Sequence, residues 1–269
     1  MTTRETLQFG LPLAVGILFV WAVGWRNPVY SKPQFQQPVK SAVSVNTDRL
    51  KQSVVHVAVG ETQGSGVLVQ RPGHTFVVTV AHVLEDVNAT TPVVISQELT
   101  IGARLAGRKT TTAVVIRLNV KEDLAVLELP TPGFMEGGEE FLAEGAWLEP
   151  GKPVIHVGNW MGNRGIGSLS TGVISHLDRR LDGSHWPLLD QVTATLFPGS
   201  SGGPVYDAEA GRVVGIVVAT SGQTWSYMVP SRQVWAWARK EGLLWLVDPA
   251  VSVPEKLNGS EGFPAPLLD

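Results

Sequence analysis

The sequence predicts an all-β protein made of two strand-rich halves facing each other across a cleft, with an apolar segment ahead of them and one helix behind. Three observations carry this reading. Short β-branched or alternating apolar runs recur at 54–59, 66–69, 76–80, 93–95, 112–120 and 124–129, and again at 154–158, 168–174, 191–194, 205–206, 213–219 and 225–229. A Gly- and Glu-rich stretch near Gly133 to Gly145 parts the two series. With 29 glycines and 18 prolines in 269 residues, the composition favours short strands and tight turns over a helical domain.

Four segments follow along the chain. Residues 1–25 hold an uncharged run from Thr6 to Trp25, which at about 1.5 Å per helical residue gives about 30 Å, the thickness of a bilayer core. A membrane helix over residues 7–25 is expected, with Trp21 and Trp25 at the interface and Arg26 beyond it. That makes a signal anchor the first expectation. Ala22 and Gly24 also suit signal-peptide cleavage, which would give a secreted protein instead. Residues 26–45, with Pro28, Pro33 and Pro38, read as an extended linker. Residues 46–247 form the two-barrel domain, and its helix is expected after Pro230, with Ser231 as N-cap and Val234, Trp237 and Ala238 on the packed face. Residues 248–269, interrupted by Pro249, Pro254, Pro264 and Pro266, form a tail.

Composition also excludes several functions. A net charge of -3 without a basic run provides no electrostatic footprint for nucleic acid. The absence of cysteine rules out disulfides, a thiolate nucleophile and sulfur-based zinc sites. His56, His74, His156, His176 and His185 lack carboxylates at metal-ligand spacing, so neither a metal nor a cofactor is expected. Gly162 to Gly167 superficially resembles a nucleotide loop, but no helical pattern follows it, and it reads as a loop beside the site.

The chemistry is expected in Pro198-Gly199-Ser200-Ser201-Gly202-Gly203-Pro204. Acyl transfer needs an exposed hydroxyl on a tight turn and backbone N–H groups aimed at a developing oxyanion, and glycines permit both. Ser201 is the candidate nucleophile and the amides of Gly199 and Ser201 the candidate oxyanion hole; Ser200 competes for the nucleophile's place, and a plain Gly/Ser turn is the simplest alternative. A serine hydroxyl also needs a base, and the base needs an orienting group. His82, where the run Val77-Val78-Thr79-Val80 ends, and Asp123, opening Asp123-Leu124-Ala125-Val126-Leu127, supply that pair on the first half. The order His, Asp, Ser along the chain is that of chymotrypsin.

Together with Gly64-Ser65-Gly66-Val67, Val157-Gly158-Asn159, Gly172-Val173-Ile174-Ser175, Val214-Gly215-Ile216 and Val229-Pro230-Ser231, these motifs make residues 50–232 similar to the protease domain of the Deg/HtrA family of trypsin-like serine peptidases. The resemblance implies a chymotrypsin-like double β-barrel and a serine endopeptidase acting on polypeptide substrates through an acyl-enzyme. It further implies an extracytoplasmic role in protein quality control or regulated proteolysis, and assembly as a homotrimer. By the same resemblance, Thr195 and Leu196 stand at the rear of the primary substrate pocket, with Val217, Val218, Ala219, Ser226, Tyr227 and Met228 as its walls. None is acidic, so a small or medium aliphatic residue before the scissile bond is expected rather than Lys or Arg. Two departures stand out: Ser200 takes a place where the family usually has Asn, and residues 248–269 are too few for the family's PDZ domain. A catalytically silent scaffold tethered to the membrane, and an esterase using the same three residues, are the alternative functions.

Overall fold

The computed structural model describes residues 45–257 apart from 88–90, 102–103, 147, 182–185 and 222–224. The membrane segment expected at residues 7–25 and nearly all of the linker lie outside the described residues. Among the described residues no helix is long and apolar enough to cross a membrane.

Among the described residues twelve antiparallel strands close into two barrels. The first contains β1 (Val54–Val59), β2 (Thr62–Arg71), β3 (His74–Thr79), β4 (Val93–Ile101), β5 (Arg104–Asn119) and β6 (Leu124–Glu128), hydrogen-bonded in the order β1-β2-β3-β6-β5-β4. The second contains β7 (Pro153–Trp160), β8 (Gly165–Arg179), β9 (Leu189–Val192), β10 (Pro204–Asp207), β11 (Val213–Ser221) and β12 (Trp225–Pro230), in the order β7-β8-β9-β12-β11-β10. The two halves therefore share one winding without sharing a visible sequence repeat. Closure leaves no open sheet edge, and β-branched residues fill the interiors. β1 is buried along nearly its whole length, including Val54, Val55, Val57 and Val59, because β7 and β8 of the second barrel pack against it.

β4 and β5 run well beyond the apolar stretches expected at 93–95 and 112–120. Their extra length is polar ladder: Ser96 pairs with Thr110, Gln97 with Lys109 and Glu98 with Arg108. Such residues carry no apolar periodicity for the sequence to display. A six-residue helix, α1 (Thr47–Gln52), also lies ahead of β1, its first turn capped by Asn46 Oδ1, which accepts from the Asp48 and Arg49 amides at 3.1 and 3.2 Å.

The expected late helix is α2 (Ser231–Lys240), but its cap differs from expectation. Ser231 is the first helical residue, and extended Pro230 (φ -72°, ψ 154°) occupies the N-cap with no side-chain cap bond. Pro230 is still paired with Gly215 of β11, so the strand runs directly into the helix. A short helix α3 (Leu244–Val247) follows. Its Trp245 packs on Phe76 of β3, with ring centroids 4.5 Å apart. Arg71 of β2 donates through Nε to the Trp245 carbonyl at 2.6 Å and through Nη2 to the Leu246 carbonyl at 2.7 Å, satisfying helix-end acceptors. The C-terminal helices, which leave the second barrel, are thus pinned to the first.

Trp245 is only 2 % exposed. Trp245→Ala is expected to lower unfolding free energy by about 3–5 kcal/mol, read from a denaturant titration.

Candidate active site

His82 lies in a 3-10 turn, Ala81–Leu84, directly after β3. Ala81, Val83 and Leu84 are buried, while the His82 side chain is 31 % exposed, so the turn directs one imidazole to the surface. Asp123 occupies the turn between β5 and β6 with φ +49°, a left-handed conformation that Asp tolerates better than most residues, and its side chain is 2 % exposed. Its two oxygens grip one partner: Oδ1 accepts from the His82 amide at 2.9 Å and Oδ2 meets His82 Nδ1 at 2.8 Å. With a carboxylate on Nδ1 the neutral ring keeps its proton there, and Nε2 carries the free lone pair. The Trp186 ring, between β8 and β9, stands 6.4 Å from the imidazole centroid at 42°. Sequence reading missed Trp186, since no local pattern marks a residue that meets His82 only in the folded chain.

Ser201 sits on the other barrel, between β9 and β10, in a loop whose carbonyls are held in succession. Phe197 O accepts from Ser200 N at 2.9 Å, Pro198 O from Met161 N at 2.9 Å, Gly199 O from Ser65 Oγ at 2.6 Å, Ser200 O from Gly203 N at 2.9 Å, and Ser201 O from Ser65 N at 2.7 Å. In a trans peptide the N–H points opposite to the C=O. Tying Pro198 O and Ser200 O inward therefore turns the Gly199 and Ser201 N–H groups the other way. Gly199 (φ +97°) admits no side chain, because a Cβ there would stand 2.8 Å from both Asn159 O and Gly162 N. Gly202 (φ +85°) is tighter, with a Cβ only 2.1 Å from Ser65 O. The two serines of the loop are distinguished by direction. Ser200 is buried and its Oγ accepts from Phe197 N at 3.2 Å, inside the loop, whereas the partly exposed Ser201 donates to Val218 O at 3.4 Å, a long and weak contact.

The residues expected around the substrate pocket occupy different environments. Thr195 is exposed, and Leu196 packs partly buried on the inner core of the second barrel. Val217 and Met228 belong to that core. Val218 is buried, and Ser226 is buried with its hydroxyl donating to Ala194 O at 2.8 Å. Ala219 and Tyr227 are partly buried against the larger core. Beside Gly199 an open groove of about 450 Å³ runs past Gln63, Met161, Arg164 and Pro198. Its neighbourhood is apolar and exposed: Trp160, Met161 and Phe197 are about half accessible, and the Trp160 and Phe197 rings meet edge-on at 6.1 Å. Among the described residues no three His, Asp or Glu side chains come together as a metal site would require.

Residues 64–216 match the family model of the trypsin-like peptidase domain. The Do-like serine protease HtrB of Bacillus subtilis is 32 % identical over 180 residues, covering 63 % of this chain and 36 % of that protein. An HtrA-like serine protease of Staphylococcus aureus is 29 % identical over 211 residues, covering 73 % of this chain and 26 % of the relative. The chain thus spans well under half the length of these curated relatives. Among solved structures, Deg5 aligns with a TM-score of 0.58 at 24 % identity over 74 % of this chain and 92 % of its own, a likeness of fold.

Beneath the Ser201 loop lies His156 of β7, 2 % exposed, with Nδ1 3.0 Å from the Pro204 carbonyl. A carbonyl only accepts, so Nδ1 carries the proton, and Nε2 has no partner among the described residues. Burial lowers its pKa from 6.5 to about 4. A base whose pKa falls on folding adds stability that is complete above about pH 6.5 and is lost as pH falls toward 4, on the order of 3 kcal/mol in all. Unfolding free energy should therefore decline between pH 6.5 and 4. His156→Asn, which keeps a donor for Pro204 O, should flatten that decline in denaturant titrations across the range.

Proposed function

Because the chain belongs to the trypsin-like peptidase domain family, we propose that it is a serine endopeptidase that hydrolyses peptide bonds through an acyl-enzyme formed on Ser201. The observation that carries this reading is the buried Asp123 carboxylate holding His82 by both backbone and ring, with Nε2 left as the available base. In the first step the Ser201 hydroxyl turns from Val218 O to His82 Nε2, gives up its proton and attacks the substrate carbonyl. Asp123 holds the ring and stabilises the imidazolium. The Gly199 and Ser201 amides receive the oxyanion. Nε2–H then protonates the departing amine, and water, deprotonated by the same nitrogen, releases the acyl group.

A polypeptide substrate fits the exposed apolar ground of Trp160, Met161 and Phe197 beside the loop. Uncharged residues at Thr195, Leu196, Val217 to Ala219 and Ser226 to Met228 favour an aliphatic rather than a basic residue before the cleaved bond. We place this activity outside the cytoplasm, in protein quality control or regulated proteolysis, with residues 7–25 as its tether to the membrane and a homotrimer as its assembly. The apolar run at 7–25 and the likeness to Do-like and HtrA-like serine proteases support that setting.

The test is labelling with a fluorophosphonate probe alongside peptide turnover. The wild type should label and cleave, Ser201→Ala and His82→Ala should lose labelling and about 10⁴-fold or more in turnover, and Ser200→Ala should retain both. An unlabelled wild type would favour the silent scaffold, and full labelling of Ser201→Ala would remove Ser201 from the role.

A further inference from the structure

We propose that Ser65 is the positioning residue that keeps the oxyanion loop in its working shape, an inference that rests on the protease reading above. Ser65 is on β2 of the first barrel and fully buried, yet every polar atom it has is engaged. Its N–H donates to Ser201 O at 2.7 Å. Its hydroxyl donates to Gly199 O at 2.6 Å and accepts from the Asn159 amide of β7 at 2.9 Å. Its carbonyl accepts from Thr79 Oγ1 at 2.7 Å. One residue of the first barrel thus grips both ends of the Gly199-Ser200-Ser201 stretch carried by the second.

The hydroxyl matters because of which carbonyl it holds. Phe197 O, Pro198 O, Ser200 O and Ser201 O are held by backbone N–H groups, which no side-chain change removes. The Gly199 carbonyl is the member of this run held by a side chain. Gly199 is also the residue whose amide is to face the oxyanion, and a glycine passes between positive and negative φ at little steric cost. Holding its carbonyl fixes the peptide after Gly199, and Pro198 O tied to Met161 fixes the peptide before it; with both held, φ stays at +97° and the Gly199 N–H stays aimed outward. Without the Ser65 hydroxyl the Gly199–Ser200 peptide loses one of its two anchors and keeps only the Ser200 N–H bond to Phe197 O, and the Asn159 amide loses its acceptor in a buried place. Serine suits the position because it joins a donor and an acceptor in very little volume. There is little room for more: a Cβ on neighbouring Gly64 would lie 2.8 Å from Ser201 O.

The test compares Ser65→Ala with Val69→Ala, a cavity-forming change at a buried position four residues on in the same strand, where Val69 pairs with Phe76 of β3. Expected is a fall in kcat of about 10²-fold for Ser65→Ala with KM little changed, because an oxyanion contact acts on the transition state. Val69→Ala should keep its kcat despite a comparable drop in melting temperature. A crystal structure of Ser65→Ala should show the Gly199 carbonyl turned away and its φ negative. Unchanged kcat in Ser65→Ala, an equal loss of kcat in Val69→Ala, or a Gly199 φ still near +97° in the variant crystal would overturn the proposal. The crystal outcome needs no turnover, so it judges Ser65 even if the wild type cleaves no peptide and the protease reading itself falls.

Discussion

Asn159 of β7 donates through its side-chain amide to two carbonyls of the opposite barrel, Val55 O at 3.0 Å and Gly64 O at 2.9 Å, while its backbone amide donates to Ser65 Oγ. These bonds are buried, so breaking them would leave polar groups without water, and the seam between the barrels is correspondingly well defined. Everything chemical depends on that seam. His82 and Asp123 belong to the first barrel and Ser201 to the second, so any slip of one barrel on the other would part the proposed base from the proposed nucleophile. The same seam carries Ser65 to the loop whose amides face outward.

Away from the site the barrels are joined by the segment between β6 and β7. Glu139 donates its amide to Leu68 O, and its carboxylate accepts from Ser53 Oγ at 2.9 Å and from Arg49 Nη1 at 2.7 Å. Leu142 N and Val213 O, and Val213 N and Glu140 O, then fasten the segment to the second barrel. Burial pushes the Glu139 carboxyl above its ordinary pKa despite the arginine beside it. The two effects are compatible: the Glu139 side chain is wholly buried whereas that of Arg49 is 44 % exposed, so water weakens the attraction more than it relieves the desolvation. The ion pair serves to place α1 over the junction more than to add net stability.

His82 and His156 show how one residue type takes two roles by environment. His82 has a buried carboxylate on one nitrogen and stands partly exposed, which suits a group that gains and loses a proton. His156, wholly enclosed and facing only a carbonyl, is held neutral and acts as a wedge beneath the loop. Acidification therefore loosens the support of the Ser201 loop.

Much of this was legible in local sequence. β-branched runs marked where most strands lie, because strand-forming residues and their turns are neighbours in the chain. The glycines around Ser201, together with His82 and Asp123 at the ends of apolar runs, marked the candidate site, because backbone freedom and a polar residue closing an apolar strand are visible one segment at a time. Local pattern did not reach the polar extension of β4 and β5, the six residues of α1, or the start of α2 at Ser231, where Pro230 remains strand-paired. Nor could it show that Trp186 stands against His82, that Val217 and Met228 fill the barrel core, or that Ser65 reaches the Gly199 carbonyl across 134 residues of chain. By itself, then, the sequence determined the strand series, the Gly-rich loop and the three residues that suit acyl transfer, since each is a property of a short segment. The tertiary structure alone decided the common winding of the two barrels, the direction of each buried side chain and the bonds that aim the loop's amides, because all of these depend on which distant strands meet.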